Sequence, residues 1–183
     1  MEIRSDWVKD LREKTNAGVM DCKRALEEAK GDLQKALRIL KDQGLLQAEK
    51  KAQRQASQGL IYSYIHGGGK VGVLLEINCE TDFVARNQKF QDLAKDVALQ
   101  IAGSHPAAQY VSRSEIGENA LKAAHAEYNS NLEKYYEQVC LLDQPFIKDS
   151  SLTVQRLIQT KIAEIGENIV IKRFVRFELG KDS

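Results

Sequence analysis

Cysteine is scarce, and its usage shows no disulfide framework. The 183 residues contain three cysteines, Cys22, Cys79 and Cys140, an odd number with no CxxC pair, which fits a reducing cytosol. Proline is scarcer still: only Pro106 and Pro145 punctuate the chain. No apolar run is long enough to span a bilayer. The opening Met1-Glu-Ile-Arg-Ser-Asp6 lacks the charged-then-apolar layout of a secretory signal and the acid-poor character of a transit peptide. Charge of either sign is not in excess, since the formal net charge is +1, so no overall field calls for nucleic acid or membrane. A cytoplasmic protein is expected, with no membrane partner.

Catalytic groupings are missing as well. His66, His105 and His125 lie far apart with no Cys or His partner at metal-binding spacing. Glu76, Glu80 and Asp82 cluster without a basic or metal-binding motif beside them. Gly67-Gly-Gly-Lys70 looks superficially like a phosphate loop. A P-loop, however, needs Gly where Tyr64 stands and Ser or Thr where Val71 stands. Basic residues are not interleaved with an aromatic RNA-binding motif. The chain is therefore expected to have no cofactor, no metal site, no direct nucleic-acid contact and no enzymatic chemistry of its own.

What is present is a globular composition, 43% hydrophobic and 29% charged, in a length that allows one ordinary domain or two small ones. The apolar spacing predicts three short helices over residues 1–46. Trp7, Val8 and Leu11 face inward on the first, and Val19, Cys22, Leu26 and Ala29 on the second. The third is capped by Asp32, carries Leu33, Ala36, Leu37 and Leu40, and is expected to end at Gly44. Residues 47–58 then form a polar, basic helical connector with Lys50, Lys51 and Arg54. It is either a solvated linker or an electrostatic contact for an acidic partner.

Residues 59–183 are expected to form a second, α+β domain. Two strand-like runs, 59–66 and 70–78, flank Gly67-Gly-Gly69 as a hairpin. Phe90, Leu93, Val97 and Ile101 mark a helix starting near residue 85, and a longer helical segment is expected over 114–139. Ser151 caps a last helix, and a terminal strand runs over 168–179. Its inward set is Ile169, Ile171, Val175 and Phe177, with Val170 and Phe174 on the opposite face; Arg173 interrupts the alternation and suggests a bulge or an exposed end. Glu-Ile-Gly-Glu-Asn occurs at 115–119 and again at 164–168. A helix former follows the first copy and a strand former the second, which argues coincidence over duplication.

The most informative stretch is Asn78-Cys-Glu-Thr-Asp-Phe-Val84, at the corner between a strand and a helix. Thr81 or Asp82 can cap the helix while Phe83 either plugs the core or presents a ring outward. Together with Thr15-Asn-Ala-Gly-Val-Met-Asp-Cys-Lys-Arg-Ala-Leu26, Gln144-Pro-Phe146 and Ile165-Gly-Glu-Asn-Ile169, it closely resembles the bacterial elongation factor Ts family, in a short form. The resemblance implies an N-terminal ubiquitin-associated-like domain followed by an α+β core with a small antiparallel sheet of about three strands covered by helices. It implies guanine-nucleotide exchange on elongation factor Tu. The corner Thr81, Asp82, Phe83 and Val84 would disturb the partner's magnesium site, while Arg12, Val19 and Met20 would hold the partner. Long members carry two core halves, so a short form is expected to pair as a homodimer, through the terminal strand or the 114–139 segment. Two rival classes leave part of this unexplained: a ubiquitin-associated interaction module needs only residues 1–45, and a thiol enzyme would use Cys79.

Overall fold

The computed structural model describes residues 3–15, 17–128 and 131–181. They divide into two compact units. The first comprises residues 1–54 with 159–168, and the second residues 55–158 with 169–183. The fold is α+β: N-terminal helices, then a three-stranded antiparallel sheet with helices.

In the first unit, α1 (Ser5–Thr15), α2 (Val19–Glu28) and α3 (Leu33–Lys51) close around Leu11, Cys22, Ala25, Leu26, Ala29, Ala36 and Leu40. Asp32 caps α3 by accepting from the amides of Gln34 and Lys35, a contact worth about 1 kcal/mol. Gly44 does not end α3. The helix passes through it to Lys51 and buries Leu45 and Ala48. Gly44 serves close approach: a Cβ there would stand 3.1 Å from the Cβ of Ala163, in the segment 159–168. Asn168 finishes the same contact from the other end. Its side-chain amide donates to the carbonyls of Arg54 at 2.7 Å and Ala52 at 3.3 Å.

The second unit is built on β1 (Gln58–His66), β2 (Val71–Cys79) and β5 (Ile169–Glu178), in the order β1-β2-β5. The β1–β2 hairpin turns through Gly67, Gly68 and Gly69, all at positive φ (61°, 68° and 89°), which residues bearing a Cβ adopt only with strain. Two helices follow β2 where the apolar spacing implies one: a single turn, α4 (Asp82–Ala85), and then α5 (Gln88–Gly103), capped by the side chain of Asn87. The inner face of the sheet carries Val73, Leu75 and Ile77, and α5 packs on β1 and β2 with Phe90, Leu93, Val97 and Ile101 buried.

A bulge at Lys172 reassigns the terminal strand. Ile171 pairs with Ile77 and Arg173 with Glu76, so one residue is extra, and every later side chain lies on the face opposite to strict alternation. Val175 and Phe177 therefore lie outward beside Leu74 and Gly72. Phe174 lies inward beside Leu75, half-buried, and Val170 stays outward.

The 114–139 segment divides into α6 (Glu118–Glu127) and α7 (Leu132–Val139); residues 129 and 130 lie outside the described residues. A short ladder of β3 (Pro145–Phe146) and β4 (Asp149–Thr153) precedes α8 (Val154–Ile165). Thr153, not Ser151, accepts from the amide of Arg156 at the start of α8. Gln144-Pro-Phe146 owes its character to a buried amide pair. Gln100 Nε2 donates to Gln144 Oε1 and Pro145 O, Gln100 Oε1 accepts from the Ile147 amide, and Gln144 Nε2 donates to the carbonyls of Pro106 and Gln138. Each amide is satisfied, as burial requires.

Candidate partner-binding site

The corner after β2 is assembled from the backbone outward. Cys79 closes β2, paired across to Gln58 and Ile169, and is fully buried. Thr81 sits in extended conformation (φ −127°, ψ 155°) and starts α4; its hydroxyl accepts from the Val84 amide at 3.4 Å and its carbonyl from the Ala85 amide at 3.2 Å. Between the capping candidates, Thr81 takes the role. Asp82 instead accepts from Arg86 Nη2 at 2.9 Å, an i,i+4 pair.

α4 buries none of its side chains, and Phe83 is 81% exposed. Seven residues later Phe90 is fully buried. Phe83 is thus not the core plug that one sequence alternative allowed. An exposed ring on a capped turn, held between a central strand and a helix, has the form of an anchor for a partner pocket. Val84 is half-buried and Thr81 and Asp82 are exposed.

In the first unit, Arg12 lies in the second half of α1, and Val19 and Met20 open α2; all three are exposed, Val19 by 50% and Met20 by 65%. Neither side chain joins the apolar cluster of that unit, although Val19 fits the helical stripe by spacing. Cys22, three residues after Val19, is buried and its thiol is pushed up by that burial; Cys140 is pushed up to about 11 for the same reason. The complete burial of Cys79 gives the thiol-enzyme alternative no geometric support, because a nucleophile must be reached. Arg86, which holds Asp82, and Asn87, which caps α5, are not marked by sequence patterning. The only signals are the four-residue spacing to Asp82 and an Asn just before an apolar helical stripe.

Among the described residues, no group of three or more His, Cys, Asp or Glu could hold a metal ion. No described helix is long and apolar enough to cross a membrane.

Comparison with known proteins agrees with the sequence resemblance. The family model of elongation factor Ts matches residues 43–131 and 127–181. The chain is 49% identical to elongation factor Ts of Carboxydothermus hydrogenoformans over 197 aligned positions, covering 98% of this chain and 90% of the relative. It is 48% identical to elongation factor Ts of Thermodesulfovibrio yellowstonii over 198 positions, covering 99% and 98% respectively. The same protein of Moorella thermoacetica is 48% identical over 192 positions, with 95% and 94% covered. With nearly the whole chain matched at this identity, the chain belongs to the elongation factor Ts family.

Proposed function

We propose that this chain is a guanine-nucleotide exchange factor for elongation factor Tu, without catalytic chemistry of its own and active in the cytoplasm. The observation that carries the proposal is Phe83, exposed on a backbone-fixed turn with no core role. Exchange is a coupling problem. A partner that weakens nucleotide binding by some factor is itself bound more weakly, by that same factor, when nucleotide is present. Such a factor need not touch GDP; it needs a lever against the shell that holds magnesium and phosphate. Thr81, Asp82, Phe83 and Val84 form the lever, with the ring as its tip.

Residues 1–46 serve as the holdfast through Arg12, Val19 and Met20, residues 47–58 connect, and residues 59–183 carry the lever. Exposed apolar side chains opening a helix suit a docking role, and Met20 adds an adaptable contact. Release of labelled GDP from elongation factor Tu, timed with and without this protein, tests the proposal. Acceleration at substoichiometric amounts supports it, and an unchanged release rate rejects it.

A second element of the proposal is homodimerisation through the outer face of β1-β2-β5. Ile61, Ile65, Leu74, Val175 and Phe177 are exposed there around the Glu76–Arg173 pair at 2.7 Å. That ion pair is satisfied within the protomer, so covering it strands no charge. A sheet apolar on both faces calls for cover on both. A second copy with two-fold symmetry is the simplest cover.

A further inference from the structure

We infer that Cys79 is the positioning residue of the Phe83 lever, acting through a hydrogen bond from its thiol to the Thr81 carbonyl. The inference rests on the exchange function proposed above. Cys79 Sγ lies 3.1 Å from that carbonyl oxygen, which also receives the Ala85 amide at 3.2 Å. The one carbonyl thereby joins two parts of the corner. Through Cys79 it is tied to the last, fully buried residue of the central strand, and through Ala85 to the only turn of α4.

α4 needs such a tie more than an ordinary helix does. It is four residues long and fully buries no side chain of its own, with only Val84 and Ala85 half-buried, so packing alone holds its rotation weakly. One isolated turn is far below the length at which a helix holds itself in water. Its anchors include backbone contacts, the Thr81 hydroxyl on the Val84 amide, the Asp82–Arg86 pair, and the Cys79 thiol. The Asp82–Arg86 pair is exposed and adds little. Of these hydrogen-bonding side chains, the thiol belongs to the buried end of the central strand and ties the turn that carries Phe83 to the sheet. Cysteine suits that position because a sulfhydryl is small and apolar enough for a sealed strand end, yet keeps one weak donor.

A lever loosened at its base still meets its partner, because the holdfast surface is elsewhere in the sequence. It pushes less effectively once bound. The expected signature is a lower maximal exchange rate with little change in the concentration of elongation factor Tu·GDP that gives half that rate.

Two substitutions in the full chain separate the bond from the packing. Cys79→Val keeps an apolar side chain of similar size and removes the donor, whereas Cys79→Ser keeps a donor and loses bulk. Cys79→Val is expected to lower kcat by about two- to tenfold, the range that one hydrogen bond carries, with KM within about twofold. It should also speed hydrogen exchange at the Val84 and Ala85 amides. Cys79→Ser should restore both the rate and the amide protection. If Cys79→Val keeps the parental rate and protection, or if Cys79→Ser is impaired as deeply, the positioning role is rejected. Phe83→Ala, measured alongside, separates the two levels. A parental rate in that variant removes the lever itself, while amide protection still reports on Cys79. A slow Phe83→Ala beside a fast, protected Cys79→Val removes only the positioning role.

Discussion

The two faces of β1-β2-β5 are made from alternate residues of the same three strands, yet only one is closed. Val73, Leu75 and Ile77 are buried against α5, while Leu74 and Glu76, their immediate neighbours, lie on an open surface with Ile61, Ile65, Val175 and Phe177. Apolar content barely distinguishes the faces. What distinguishes them is the cover each receives within one chain. An apolar strand therefore signals that burial is wanted, not which element supplies it.

The largest expected effect tests the closed face. Leu75→Ala should destabilise the chain by about 2–5 kcal/mol in urea denaturation, because it removes a fully buried side chain and leaves a cavity. Leu74→Ala, one residue away, should stay within about 0.5 kcal/mol when measured dilute enough to be monomeric. Equal losses would abolish the distinction.

The open face is expected to show its role in mass rather than in folding. The parent should scatter light as a dimer at micromolar concentration, and Phe177→Lys should scatter as a 20.6 kDa monomer with unchanged secondary structure. An anchor of this kind is worth about 2 kcal/mol or more and is used twice across a two-fold axis. A parent that is already monomeric would leave the open face without its proposed partner.

The contrast between Phe83 and Phe90 sharpens the same distinction at the corner. Phe83→Ala should slow GDP release from elongation factor Tu by about thirtyfold or more, the equivalent of losing one aromatic anchor, with stability within about 0.5 kcal/mol of the parent. Unfolding of that variant would assign the ring to the core despite its exposure.

The smallest effect concerns the bulge. Removing Lys172 should yield a regular strand with Ile171 and Phe174 still inward and Val175 and Phe177 still outward, because the bulge has already set that assignment. The chain should fold with the same oligomeric state. Loss of folding on deletion would show that the bulge bends the strand in a way the sheet requires.

Local chemistry is the legible part of this sequence. Asp32 caps where its position before an apolar stripe implies, Gly67-Gly-Gly69 turns the hairpin, and the two Glu-Ile-Gly-Glu-Asn copies lead into a helix and a strand as their sequels dictate. The exposure of Phe83 is not legible, since the same residue at the same corner suits a core plug equally well. Arg173 signals an irregularity, either a bulge or an exposed end, but not which of the two nor its consequence for Val175 and Phe177: periodicity counts residues, whereas pairing counts hydrogen bonds, and the two part company after one unpaired residue. Gly44 misleads for a related reason. Glycine marks helix ends when its backbone freedom is used, and helix contacts when its missing side chain is used. Only the approach of Ala163, more than a hundred residues later, shows which applies.

That late contact bears on how the chain is made. The first unit includes residues 159–168, and the Asn168 amide reaches the Arg54 carbonyl across 114 residues of sequence. At a synthesis rate of about 5–20 residues per second, roughly 6 to 23 seconds separate the emergence of these two partners from the ribosome. Throughout that interval Leu45 and Ala48 lack the segment that completes their unit, even with α1, α2 and the first half of α3 already folded. A member of a translation-factor family thus completes its own first unit only after the chain has been made at least as far as Asn168.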